Sequence, residues 1–239
     1  MLKTSTSLIL ILFGLIANAE TYSPSYSVTY AINNYAKAYG SGSNRNPFPN
    51  LAGTTITGGN CTNFVNQSIS GGLLSSTNSY TLNNLLTRGK FPSTVNPSWF
   101  YKCNSVSNLC QPPTWRGAQN MFAFSRDKAN AKALRMAFIT KTALVNNKLQ
   151  PLDHTKIRKG DIIFADWSYV VGSSVNSVDH SMVVTGQSAD HWYDITRTMK
   201  YNNIRLTYQT TNRTDVGLGS IWVDGKTAFY VYRPTGYFR

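Results

Sequence analysis

The amino-acid order predicts an α+β domain, with helices first and an antiparallel sheet after them. Three observations carry this. Apolar residues recur at helical spacing in the first half, in Tyr26 to Tyr39 and again in Cys61 to Ile69. From Ile157 onward the chain turns to short runs rich in Val, Ile, Phe, Tyr and Trp, the composition of strands. Between them a cysteine sits just behind a glycine pair at the start of a helical pattern, in Gly58-Gly59-Asn60-Cys61-Thr62-Asn63-Phe64-Val65-Asn66-Gln67.

The elements follow in chain order. Met1 to Ala19 reads as a secretory signal: Lys3 gives a positive start, Leu8 to Ile16 an apolar run, and Ala17-Asn18-Ala19 an A-x-A cleavage site. The apolar run is too short for an ordinary membrane span. The remainder, residues 20–239, is long enough to bury one substantial core and is read as a single domain. Tyr26 to Tyr39 is read as a helix with Val28, Ile32, Tyr35 and Tyr39 on one stripe, joined by Ala31 and Ala38. Asn46-Pro47-Phe48-Pro49-Asn50 is an extended loop. The Cys61 helix follows and is expected to stop at Gly71-Gly72.

Residues 73–124 are rich in Ser, Thr, Asn and Pro and read as a loop-rich, ordered cover, because Trp99-Phe100-Tyr101 and Trp115 are too apolar for a free linker. Ala129 to Val145 carries a helical stripe of Ala131, Leu134, Phe138 and Val145. Strand signals then come in succession: Gly160 to Trp167, His180 to Gly186, His191 to Thr196, Ile204 to Gln209, and Ala228 to Tyr232 before Pro234.

Lys and Arg number 23 against 10 Asp and Glu, for a net charge of +13, about +12 once Lys3 is gone. The basic residues are scattered. No arginine-rich arm, helix-turn-helix or RNA-binding signature is present, so nucleic acid is not expected as a partner. A basic secreted protein points to an anionic wall polymer. No further stretch looks transmembrane, and a monomer off the membrane is expected.

Three cysteines bear on the compartment. Cys103 and Cys110 bracket a short polar loop that a disulfide would close, which suits a periplasmic or extracellular setting. Cys61 is the odd one left over, and an unpaired thiol in a secreted protein is a liability unless it has a use. The cysteines have neither CxxC spacing nor a nearby His pair, so no metal site is expected, and no cofactor.

The setting of Cys61 supplies a use. A thiol in the first turn of a helix feels the positive end of the dipole and the unpaired N–H groups, which favour thiolate. The backbone N–H of Cys61 is a natural oxyanion donor. Downstream, Asp179-His180-Ser181-Met182-Val183-Val184-Thr185-Gly186 reads as a strand with His180, Met182 and Val184 on one face. A cysteine at a helix start with a histidine on a sheet is the arrangement of a thiol nucleophile and its base. His154 is read as a surface residue and His191 as structural. Asp179 is read as facing away from His180, and Asp161 and Asp166 as shaping a turn and a strand end.

These blocks carry a resemblance. Gly58 to Gln67 with Gly71-Gly72, Gly160-Asp161-Ile162-Ile163-Phe164-Ala165-Asp166-Trp167, and Asp179 to Gly186, in this order, resemble the family named "Putative amidase domain". That family is related to the NlpC/P60 cysteine peptidases within the papain-like fold. The resemblance spans roughly residues 26–233. It implies a papain-like domain whose nucleophile helix packs on an antiparallel sheet, with Cys61 and His180 as catalytic residues. It further implies a polar orienting residue on a later strand, for which Asn212 in Gln209-Thr210-Thr211-Asn212-Arg213 is the match. Two departures stand out: Asn60 replaces the usual Asp before the nucleophile, and Thr210 replaces a His.

Together these readings imply a secreted cysteine hydrolase cleaving amide bonds of bacterial peptidoglycan through a thioester. Two alternatives stay open. A non-catalytic wall- or glycan-binding module would need no reactive thiol. A lipid-directed acyl hydrolase or transferase would release fatty acid and leave muropeptides unchanged.

Overall fold

The computed structural model describes residues 19–38, 47–48, 60–87, 99, 113–127, 134–150, 152–173, 177–193, 200–209, 211–221 and 226–238. The signal-like segment 1–18, the Gly58-Gly59 turn and the Cys103–Cys110 pairing lie outside the described residues.

The architecture is α+β, with helices packed on an antiparallel sheet. Strand β1 (Ala19–Thr21) leads into helix α1 (Pro24–Asn34), and α2 (Asn60–Leu73) and α3 (Ser79–Thr87) follow. After α4 (Pro113–Arg116) and α5 (Ala118–Arg126) come β2 (Leu134–Lys141), β3 (Leu144–Val145) and β4 (Lys148–Leu149). The rest is β5 (Ile162–Asp166), β6 (His180–Tyr193), β7 (Lys200–Tyr208), β8 (Arg213–Gly217), α6 (Leu218–Ile221) and β9 (Ala228–Phe238). Among the described residues, seven strands form one sheet in the order β1-β9-β5-β6-β7-β8, with β2 on the other edge of β9.

The sheet buries both faces, and alternation sorts the residues. Ile162, Phe164 and Val183 pack with the helices, beside Phe64, Val65 and Ile69 of α2. Ile163, Ala165, Met182, Val184, Phe229 and Val231 form the second core, closed by Leu152, Ile157 and Leu218. Each fully buried aromatic or branched side chain contributes about 1.5–3 kcal/mol.

Several expectations are corrected. In the segment read as a helix over Ala129–Val145, the described residues 134–145 form strand β2 and the first strand of the β3–β4 hairpin. Its Ala, Leu, Met and Lys are helix formers, but β9 offers a long ladder that runs from Leu134↔Tyr237 to Lys141↔Tyr230 and overrides propensity. The hairpin turns on Asn146 and Asn147, at φ +50° and +61°, the left-handed pair that a tight two-residue hairpin needs.

Gly71 and Gly72 do not stop α2; they lie inside it. A Cβ on Gly72 would sit 2.4 Å from Tyr22 Cε2, and one on Gly71 2.7 Å from the Ser76 carbonyl oxygen. The glycines allow close approach rather than termination. On α1 the buried face is Ser27, Tyr30, Ala31 and Asn34 rather than the Val28–Ile32 stripe, and Ile32 is 46% exposed. Hydrogen bonding explains the rotation. Tyr30 Oη donates to Gln67 Oε1 at 2.8 Å, and Asn34 Nδ2 donates to the Thr77 carbonyl at 3.0 Å. Residues 73–124, read as loop-rich, hold α3, α4 and α5, while His191 to Tyr193 is the end of β6 rather than a separate strand. Pro234 lies within β9, beside a register shift between Arg135 and Met136, where a missing N–H is tolerated.

Candidate active site

Helix α2 is buried on every side from Asn60 to Leu73. That is unusual for a helix with so many polar residues, and hydrogen bonds cross-link several of them. Trp99 Nε1 donates to Asn66 Oδ1 at 2.6 Å, and Asn66 Nδ2 donates to the carbonyls of Thr62 and Thr114 at 3.0 Å each. These bonds, with the Tyr30–Gln67 bond, fix the helix along its length. The consequence is a rigid first turn carrying Cys61, which is 2% exposed.

His180 is the first residue of β6, opposite Ala165 of β5. This register sets the imidazole at the end of the sheet beside the start of α2. Burial pushes the Cys61 thiol up, but a hydrogen bond and the positive charge of the His180 imidazole outweigh it. The Ser181 backbone N–H and the Thr62 hydroxyl add to the lowering, and the thiol falls from 9.0 to about 7. Cys61 Sγ lies 3.7 Å from Thr62 Oγ1, which is 3.2 Å from Ser181 Oγ. Two expected residues, Cys61 and His180, are thus brought together.

The imidazole is held by aromatic rings. Tyr208 of β7 meets it edge-on at 5.0 Å between centroids and 89°, and Trp167 lies at 5.8 Å and 37°. Its Nε2 is buried and has no hydrogen-bond partner among the described residues. Leaving such a nitrogen unpaired costs about 1–3 kcal/mol.

Asn212 is not joined to His180. It is exposed in the turn between β7 and β8 at φ +48°, a left-handed position that Asn adopts readily. Tyr208 and Arg213 pair across that turn, so Asn212 serves the chain reversal. Asp179 is exposed, and its Oδ2 accepts from the backbone N–H of Trp167 at 3.2 Å; it ties down the main chain at Trp167 rather than His180. Asp161 accepts from Arg233 Nε and Nη2 at 2.7 and 2.9 Å. Asp166 is buried at the end of β5, where it accepts from the Ser168 N–H at 3.1 Å. His154 begins a 3-10 turn, and His191 lies in β6 opposite Asn202. Among the described residues no group of three or more His, Cys, Asp or Glu is arranged to hold a metal ion.

Sequence reasoning missed Trp167 and Tyr208 as neighbours of the imidazole. Trp167 ends a block already singled out, and Tyr208 lies on a strand already expected, but which ring meets which is a tertiary fact. Thr62 and Ser181 were equally silent, although each adjoins a named residue.

An α+β domain with a helix-start cysteine against a strand-start histidine is the class that fold and site define. Residues 22–232 match the family described as "Putative amidase domain", and the chain belongs to that family. Membership suggests amide hydrolysis. No curated protein and no solved structure matches the chain.

Proposed function

We propose that the protein is a secreted thiol amidase that hydrolyses amide bonds of bacterial peptidoglycan. The carrying observation is the thiol of Cys61, lowered to about 7 against its burial by the neighbouring imidazole of His180. Near neutral pH such a pair holds a large thiolate fraction, the form that attacks carbonyl carbon. The basic charge of +13 and the signal-like first 19 residues favour an anionic polymer outside the cytoplasm.

In this reading Cys61 Sγ bonds to the amide carbonyl carbon, and the oxyanion is met by N–H groups at the start of α2. His180 gives its proton to the departing amine as the C–N bond breaks, leaving an acyl-thioester. Water then loses a proton to His180, adds to the thioester and restores the thiol. Trp167 and Tyr208 hold the ring plane, the task that a polar orienting residue performs in other thiol hydrolases.

The test is digestion of purified peptidoglycan with the protein lacking residues 1–19, with products identified by mass spectrometry. New muropeptides bearing a free amine and carboxylate at one former amide are expected. An unchanged muropeptide profile, with release of fatty acid from phospholipid instead, would move the protein to the lipid-directed class.

A further inference from the structure

A thiolate held away from water needs hydrogen-bond donors in its place. Cys61 is 2% exposed, and three donors act on its sulfur: the His180 imidazole, the Ser181 backbone N–H and the Thr62 hydroxyl. The first is the base already described. The second is free to do so because the ladder between β6 and β7 starts only at Val183↔Thr207. Ser181 precedes that ladder, and its N–H bonds the sulfur instead.

The hydroxyls add a further link. Cys61 Sγ, Thr62 Oγ1 and Ser181 Oγ form a chain with steps of 3.7 and 3.2 Å. Thr62 and Ser181 are both 0% exposed, so bulk water reaches neither oxygen. Ser68 and Ser125 give their hydroxyls to the carbonyl four residues back, the usual habit inside a helix. Thr62 stands in the first turn of α2, and its hydroxyl turns to side chains. Each hydroxyl has one proton to give. A thiolate can only accept, so Thr62 spends its proton on the sulfur. That leaves its lone pairs to Ser181, which must then be the donor. The charge on the sulfur sets the direction of both bonds.

We propose that Thr62 and Ser181 are positioning residues acting in series, with Ser181 donating to Thr62 and Thr62 donating to the Cys61 thiolate. This rests on the amidase reading, in which Cys61 is the nucleophile. The series favours charged sulfur over neutral thiol, before attack and again as the sulfur leaves the thioester. It also ties the first turn of α2 to the start of β6, beside the His180 main chain.

The test titrates the thiol in the full chain, by iodoacetamide labelling across pH read on the Cys61 peptide by mass spectrometry. The titratable neighbours are His180 and, edge-on to it, Tyr208, whose hydroxyl is pushed up by burial and stays neutral over the range. Thr62→Val keeps the branched shape and loses the donor. Its labelling midpoint should rise by about one pH unit, the effect of one hydrogen bond to a charged group. Thr62→Ser restores the hydroxyl and should keep the native midpoint. Ser181→Ala keeps the backbone N–H and should raise the midpoint by a smaller amount. Added to Thr62→Val it should raise it no further, because a series broken at Thr62 passes nothing on. An unmoved midpoint in Thr62→Val, a Thr62→Ser midpoint displaced as far as that of Thr62→Val, or additive shifts in the double variant each overturn the proposal. Should Thr62→Val fail to fold, Ser181→Ala decides: a raised midpoint supports the series and an unmoved one overturns it. Because no turnover is read, a native chain that hydrolyses nothing would defeat the amidase reading and leave these midpoints standing.

Discussion

Asp161 and Cys61 are both buried ionisable groups at the sheet, one beside each end of the β5–β6 pair, and their surroundings differ in kind. Asp161 is closed upon itself. Its two oxygens take Arg233 Nε and Nη2 and the Arg158 N–H, and Arg233 Nη2 also reaches the Lys156 carbonyl. Cys61 meets an imidazole whose Nε2 is left without a partner among the described residues. The first arrangement has no capacity left for a visitor. The second keeps a proton carrier next to a low thiol, with hydrogen-bonding capacity unspent. Stability tolerates the first kind of site anywhere; the second persists where chemistry uses it.

The comparison breaks most sharply at the sulfur. Cys61→Ala should reduce hydrolysis by at least about a thousandfold while a thermal melt stays within a few degrees of the native chain. Full turnover in a folded variant would remove the nucleophile.

Next in size is the imidazole. The native thiol should titrate near pH 7, as its lowering from 9.0 to about 7 requires, so iodoacetamide labelling rises as pH climbs through that point. His180→Ala removes the main lowering causes and leaves burial, which pushes the other way. Its labelling midpoint should move to the ordinary thiol value or above. At pH 7 the thiolate fraction then drops roughly fiftyfold. The linkage has one sign: a depressed thiol stabilises the fold above pH 9.0, and that contribution is lost as pH falls through about 7. A variant with an unmoved midpoint shows that the imidazole does not govern the sulfur.

The structural pair should behave oppositely. Arg233→Ala strands the buried Asp161 carboxylate and should cost about 2–3 kcal/mol, discounted from a fully buried pair because Arg233 keeps some exposure. That is a fall of roughly 5–10 °C in Tm, with the Cys61 labelling midpoint still near 7. A shifted midpoint would mean that the two sites are coupled after all. The smallest effect belongs to Asn212→Gly. Glycine accepts a φ of +48° without strain, so stability should stay within about 0.5 kcal/mol and hydrolysis should be unchanged. Lost activity there would return Asn212 to the catalytic set.

The legible part of this molecule was local. The Cys61 helix and the His180 strand announce themselves through spacing alone, and the two faces of β5 and β6 follow from alternation. What failed depended on partners far along the chain. Nothing in Leu134 to Lys141 forecasts a strand, because its ladder partner lies about a hundred residues on. Gly71-Gly72 reads as a stop until Tyr22 and Tyr30 are seen pressed against it. Asn212 matched an expected position in order but not in space, and the rings that hold His180 were named only as sheet residues.

β9 carries one more implication. It takes β2 along one edge and β5 and then β1 along the other, yet it follows all of its partners in chain order. Three ladders must wait for it, the β1 contact joining Thr21 to Gly236. Such long loop closures make for slow assembly, and until then β5 presents an open edge that could pair with another copy. Refolding at rising protein concentration should therefore divert chains to aggregate before the final strand docks.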